Sequence, residues 1–341
     1  MKIIIYINFI MLLVVSGFSQ EKIKVVTTLS TYADIAKKIG GDKVNVNYIV
    51  PGDQDAHFVR PKPSYAVLLN DADLFVTTGL DLEMWVPALV DMSKNNNIRS
   101  GQPGFVAAYD GIDLLEKPDV MSREGGDLHI YGNPHITSSP LNLLVVAENI
   151  SIGLGNVDSK NKQYYYTNFN DFKAKTVAWL FGDELVKLMG DKLLIKLANS
   201  GQLIDFISSK EYKGKKMIEY LGGWMKRALF LKDKKIVAYH KNWIYFKNLL
   251  GFEIAGYVEP KPGIPPSPKH VQQLINTMKD YNIKVILAAN YFDESKVRNI
   301  SQKVGAKPVI VPLYVHGISE VDDIYKLFDL WINELNAAFE N

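Results

Sequence analysis

Cysteine is absent from the 341-residue chain. That excludes disulfides, thiolate zinc sites, iron–sulfur clusters, thiol nucleophiles and a lipoprotein thioether. Histidine is scarce, with six copies, so a transition-metal site must draw on those six or on carboxylates. Charge of one sign is also lacking. The chain carries 39 basic and 37 acidic residues, a formal charge of +2, which is no footprint for a nucleic-acid partner. After the first twenty residues no apolar run approaches the roughly 20 residues of a membrane span. Several catalytic signatures are missing as well: there is no His-Glu-x-x-His, no Gly-x-Ser-x-Gly and no Walker loop, and Gly153-Leu154-Gly155 lacks the third glycine of a dinucleotide fingerprint.

What is present is an exported α/β protein by pattern. Residues 1–20 read as a signal peptide: Met1-Lys2, an apolar stretch from Ile3 to Val15, then small residues up to Ser19. A cleaved signal without a lipid anchor predicts a periplasmic protein. Short β-branched runs alternate with helical stretches: Ile23 to Thr27, Tyr32 to Ile39, Val44 to Val50, Ser64 to Leu69, Leu74 to Thr77. Such alternation implies parallel βαβ units. Lys117 to Asn133 reads as a loop, and Ser139-Pro140 as a helix start with Ser as cap and Pro in the first turn. Helical patterning then runs from Tyr164 through Lys232, punctuated by glycines, before a second α/β block starts at Lys235. Its expected strands are Ile236 to Tyr239, Phe252 to Val258, Ile283 to Ala288 and Val309 to Val315.

The histidines fall in suggestive places. His57 follows the strand ending at Val50 across a loop, His240 follows Tyr239 directly, and His316 follows Val315 directly. His135 lies just before the cap at Ser139. Ligands of open parallel sheets bind beyond the carboxyl ends of the strands, and imidazole is the commonest protein ligand for borderline metals. Placement alone leaves ligand and structural hydrogen-bonding roles both open, and the spacings match no local zinc motif. His129 reads as a solvated loop histidine, with an auxiliary metal-capturing role as the alternative, and His270 as exposed and uninvolved.

Pro51-Gly52-Asp53-Gln54-Asp55-Ala56-His57, followed by Pro63-Ser64, Asp71-Ala72-Asp73-Leu74, Gly79-Leu80 and Glu83-Met84-Trp85, resembles the zinc/manganese solute-binding proteins of metal ABC transporters. So do Asn133-Pro134-His135 with Pro140, and His240 with Tyr245-Phe246 and Gly251-Phe252. The resemblance implies two α/β lobes, each a mostly parallel sheet flanked by helices, joined by a long backbone helix. The metal would lie in the cleft between them, with two ligands from each lobe. The implied organisation is a signal peptide over 1–20, an N-terminal lobe over 21–160, a linking helix over 161–182, a helical insert over 183–232 and a C-terminal lobe over 233–341. Carried over by motif, His57, His135 and His240 take three ligand positions. The fourth, usually a carboxylate in that family, falls on His316. Ala56 and Asn133 depart from the family's usual Pro and Asp. Phe181 to Lys232 is longer than its usual link.

The expected function is capture of a divalent metal and its delivery to an ABC-type permease in the inner membrane, by a monomer that is not an enzyme. Zinc is expected over manganese, because imidazole suits zinc while carboxylate and water oxygens suit manganese. Asp55 and Glu259 are candidates to offset the ion's charge from behind the ligands. The alternatives are a periplasmic zinc metallohydrolase, which would use three histidines and an open position for water, and a metal-dependent adhesin.

Overall fold

The structure is a computed structural model that describes residues 21–117, 129–261 and 263–340. The signal segment 1–20, most of the 117–133 loop and Pro262 lie outside the described residues.

The N-terminal lobe alternates strand and helix as its sequence pattern requires. It comprises β1 (Ile23–Leu29), α1 (Ser30–Gly40), β2 (Val44–Val50), α2 (Pro63–Asn70), β3 (Leu74–Thr77), α3 (Val86–Ser93) and β4 (Phe105–Ala107). The strands pair in parallel in the order β2-β1-β3-β4. Leu74, Phe75, Val76 and Thr77 of β3 are all buried, as expected for a strand covered on both faces. Helix α4 (Pro140–Val157) starts where the sequence places its cap: Ser139 Oγ accepts from the Leu141 N–H, and Pro140 opens the helix.

The long α5 (Lys162–Phe181), about 30 Å at 1.5 Å per residue, leaves this lobe and ends at Gly182. Here glycine is needed. Gly182 has φ +79°, and a Cβ on it would stand 2.6 Å from Gly222 Cα, where the chain returns. Between them lie α6 (Asp183–Met189), α7 (Asp191–Asn199), α8 (Leu203–Ser209) and a small hairpin of β5 (Glu211–Tyr212) and β6 (Lys215–Lys216); α9 (Gly223–Arg227) follows. Leu194, Leu203, Ile207, Leu221 and Trp224 of this stretch are buried in the main core.

The C-terminal lobe runs β7 (Lys235–Ala238), α10 (Ile244–Leu250), β8 (Glu253–Tyr257), α11 (Pro268–Asp280), β9 (Val285–Ala289), α12 (Glu294–Val304), β10 (Lys307–Val311) and α13 (Ile324–Glu340). Its parallel sheet has the order β10-β9-β7-β8. α12 escaped the sequence reading. Asp293 caps it by accepting from the Ser295 and Lys296 N–H groups, but its polar composition hides the short apolar face of Val297 and Ile300. β10 stops at Val311 rather than Val315, since Pro312 has no N–H to extend the ladder.

One buried core runs through both lobes, and polar contacts stitch them. Ser30 Oγ donates to Val315 O (2.5 Å), the Val315 N–H donates to Thr31 Oγ1 (3.2 Å), and the Ile324 N–H donates to Asp34 (3.1 Å). Gly52 of the N-terminal lobe lies so close to the 315–317 turn that a Cβ would meet Val315 O at 2.3 Å.

Candidate metal centre

Four histidines converge between the lobes. Each of His57, His129, His135 and His240 offers a ring nitrogen, and these nitrogens lie within 4.8 Å of one another. Ring centroids are 5.1 Å apart for His57–His135, 5.4 Å for His135–His240 and 5.2 Å for His57–His129. His129, His135 and His240 are no more than 4% exposed.

Each ring is set by its local chain. His57 sits in a short 3-10 turn, Ala56–Phe58, after β2. Asp55 Oδ1 accepts from both the His57 N–H (3.0 Å) and His57 Nδ1 (2.7 Å), an Asx turn that also orients the ring. Trp85 Nε1 donates to Ala56 O (2.8 Å) and pins the turn from below. Nearby, the buried Glu83 accepts from the hydroxyls of Thr28 and Thr78, tying the ends of β1 and β3 together. Burial pushes its carboxyl pKa up. His135 repeats the Asx device: its N–H donates to Asn133 Oδ1 (3.0 Å). Asn133 Nδ2 in turn donates to Lys241 O (2.9 Å) in the C-terminal lobe. His240 extends straight from β7, and Glu259, just past β8, faces its Nδ1 at 3.0 Å.

Nδ1 of His57 and Nδ1 of His240 are therefore engaged by carboxylates, and one nitrogen of each of the four rings turns to a common point. His135 Nε2 and His240 Nε2 are buried without a hydrogen-bond partner, a costly state unless something coordinates them. Burial lowers the His129 pKa to about 3, helped by the neighbouring His57 and His240. Burial also holds His135 well below the usual imidazole value, again with repulsion from its neighbours. His129 and His135 are thus held as neutral rings, the protonation state that metal coordination requires. Asp55 stays ionised: burial raises its pKa, but the hydrogen bonds and charge of His57 outweigh that and hold it below the usual value.

Three of the residues expected from the sequence, His57, His135 and His240, are brought together; His316 is not. Because β10 ends at Val311, the chain travels further before reaching His316, which is exposed with φ +62° and lies parallel to Tyr48 at 6.1 Å. In the grouped set the place expected for it is taken by His129. The solvated-loop reading of His129 falls with it, since that side chain is 4% exposed. Three of the four histidines come from the N-terminal lobe, not two. His270 is half-buried rather than exposed, with Nε2 2.9 Å from Tyr257 O. The two acids singled out, Asp55 and Glu259, do stand behind ring nitrogens. Asn242, which also shapes the nest, carries no metal-site signal in a single sequence, and Trp85 enters only within the resembling stretch Glu83-Met84-Trp85.

A family model described as zinc-uptake complex component A, periplasmic, matches residues 25–179 and 208–338, leaving 180–207 unmatched. The manganese ABC transporter substrate-binding lipoprotein PsaA of Streptococcus pneumoniae is 24% identical over 306 residues, 89% of this chain and 83% of that protein. The high-affinity zinc uptake system protein ZnuA of Bacillus subtilis is 28% identical over 299 residues, 85% of this chain and 78% of that protein. A crystal structure of ZnuA superposes with a TM-score of 0.68 at 21% identity, covering 93% of this chain and 99% of that one. A periplasmic metal binding protein from Candidatus Liberibacter asiaticus gives 0.63 at 18%, with 93% and 99% covered. These two structures share the two-lobed α/β fold.

Proposed function

The chain belongs to the family of periplasmic zinc-uptake component A proteins, and on that premise we propose that its four-histidine nest captures zinc as cargo. It is the extracytoplasmic metal-binding component of an ABC-type metal importer, and the partner that receives the cargo is the permease in the inner membrane. The proposed ligands are His57, His129, His135 and His240. The 341 residues offer no thiol for the lipid attachment that the name of PsaA announces.

The observation that carries the choice of zinc is the donor set: four imidazoles and no carboxylate among the grouped atoms. A tetrahedron with zinc–nitrogen bonds of about 2.0–2.1 Å has edges of about 3.3–3.4 Å. His57 Nε2 and His129 Nε2 already stand 3.4 Å apart. Two positive charges meet two negative ones, Asp55 and Glu259, one atom shell away, so the loaded site is close to neutral. Manganese prefers oxygen donors and gains less here. Four nitrogens also fill a tetrahedron, leaving no open position for the water a zinc hydrolase activates. That supports a carrier over an enzyme.

The test is elemental analysis of protein purified without added metal, followed by calorimetric competition between zinc and manganese. One zinc per chain, bound more tightly than manganese, is expected. Manganese bound as tightly as zinc would overturn the choice.

A further inference from the structure

The partners behind the histidines are not alike. His57 and His240 face carboxylates, which can only accept, so each of these rings is held with its proton on Nδ1 and its Nε2 lone pair turned inward. His135 faces an amide instead. Asn242, fully buried, places Nδ2 3.4 Å from His135 Nδ1 and 3.0 Å from the Tyr291 hydroxyl, while its own Oδ1 is buried without a partner. An amide NH2 can only donate. Facing Nδ1, it selects the tautomer with the proton on Nε2, and a protonated Nε2 has no lone pair for a metal.

We propose that Asn242 is a positioning residue whose amide turns over when cargo binds, so that Oδ1 holds the His135 proton on Nδ1 and frees Nε2. The inference rests on the reading of the four histidines as the cargo site. A half-turn about the Cβ–Cγ bond exchanges Oδ1 with Nδ2. Oδ1 then accepts from His135 Nδ1–H and from the Tyr291 hydroxyl, which donates as readily as it accepts. The ring keeps one proton throughout, exchanged through water from Nε2 to Nδ1, so no net proton is gained or lost. The amide adds no charge, and the balance between the ion and the two acids is kept. Outer partners of metal-bound histidines hold both tautomer and ring orientation. Here that task falls to a residue of the opposite lobe, tying the ring of one lobe to the strand end of the other.

The test combines zinc titration against a competing chelator with NMR of full-length protein carrying 15N-labelled histidine. Asn242→Leu is expected to weaken zinc binding about 10–100-fold. Asn242→Asp, which keeps an acceptor toward Nδ1, is expected to recover most of the loss. In the wild-type protein loaded with zinc, the His135 proton should reside on Nδ1, with the metal on Nε2. Unchanged affinity in Asn242→Leu, or an Asn242→Asp variant as weak as it, overturns the proposal. If Asn242→Leu does not fold, the wild-type spectrum decides, and a proton on Nε2 with zinc bound overturns it. Failure of the wild-type protein to bind zinc removes the cargo site and this inference together. Tight wild-type binding with an inert Asn242 removes only this inference.

Discussion

The two lobes contribute to the nest in opposite ways. The N-terminal lobe supplies three of the four rings, and it holds two of them by one device, an Asx residue two positions ahead of the histidine. The C-terminal lobe supplies one ring, carried on the end of β7, together with Glu259, Asn242 and Tyr291 behind the rings. Grip thus lies mostly with one lobe and orientation mostly with the other. An ion would be held by the N-terminal rings, and the C-terminal lobe would complete and neutralise the shell. Asn133 crosses the boundary: its carbonyl oxygens and amide join His135, Lys241 and the Tyr245 hydroxyl.

The largest effect that would break this picture is loss of a ring from either side. His135→Ala and His240→Ala should each weaken zinc binding by more than about 100-fold, since even the outer partners of such rings are typically worth 10–100-fold. His316→Ala should leave affinity unchanged. Chelator competition measures all three. Equal losses at His240 and His316 would restore the strand-end histidine to the site. Zinc at 100 times its dissociation constant should also stabilise the wild-type protein by about 2.7 kcal/mol, and His316→Ala should keep that gain while His135→Ala loses it.

The contrast between His240 and His316 also shows what a sequence discloses. Both follow apolar β-branched runs, and the pattern read both as the first residue past a strand. For His240 that is nearly so, because β7 stops at Ala238. For His316 the apolar run Val309 to Val315 hides a break at Pro312: Leu313, Tyr314 and Val315 are buried although they lie past the strand, and Val315 bonds Ser30 and Thr31 of the other lobe. Apolar character recorded burial and said nothing of which surface did the burying. His129 was obscured for the opposite reason, since glycine-rich, polar surroundings read as solvent while the ring itself folds inward. The parallel sheets, the α4 cap and the glycine breaks at Gly190, Gly201 and Gly214 were legible because each rests on local chemistry. The tertiary partners Trp85 and Asn242 rest on none.

Acid should release the metal and also weaken the empty protein. His129 is held near pKa 3 and His135 well below the usual value, while both titrate near 6.5 in an unfolded chain. Between those limits the unfolded state binds more protons than the folded one, so stability falls as pH drops. Denaturant midpoints of metal-free protein should decline from about pH 6.5 toward about pH 3, and His129→Gln should flatten the slope. A metal-free midpoint that is level across this window would show that the nest is not a store of buried neutral imidazole.

A smaller effect sharpens the division between the lobes. Asp55→Asn and Glu259→Gln each remove one of the two charges facing the ion while keeping a side chain of the same size. Each should reduce zinc affinity by about 10-fold, the low end for an outer partner, because a carbonyl oxygen still faces Nδ1. The double variant should lose more than either alone. Manganese, which draws more on charge than on imidazole, should suffer proportionally more. Losses confined to Asp55 would mean that the C-terminal acid serves the loop it also bonds, through the Gly263 N–H, rather than the cargo.

The smallest expected effect lies beneath His57. Trp85 is 8% exposed, and its indole N–H reaches the carbonyl of Ala56, itself fully buried. Trp85→Phe keeps most of the ring's packing but leaves that carbonyl without a donor, at a cost of about 1–3 kcal/mol for a buried unsatisfied group. Most of this should appear as lost stability of the metal-free protein, measured by denaturant titration. Zinc affinity should fall much less, by under about 10-fold, since Asp55 grips both the backbone and the ring of His57 independently of Trp85. If affinity instead falls as far as in His57→Ala, the turn owes its shape to the indole below it, and the Asx residue only follows.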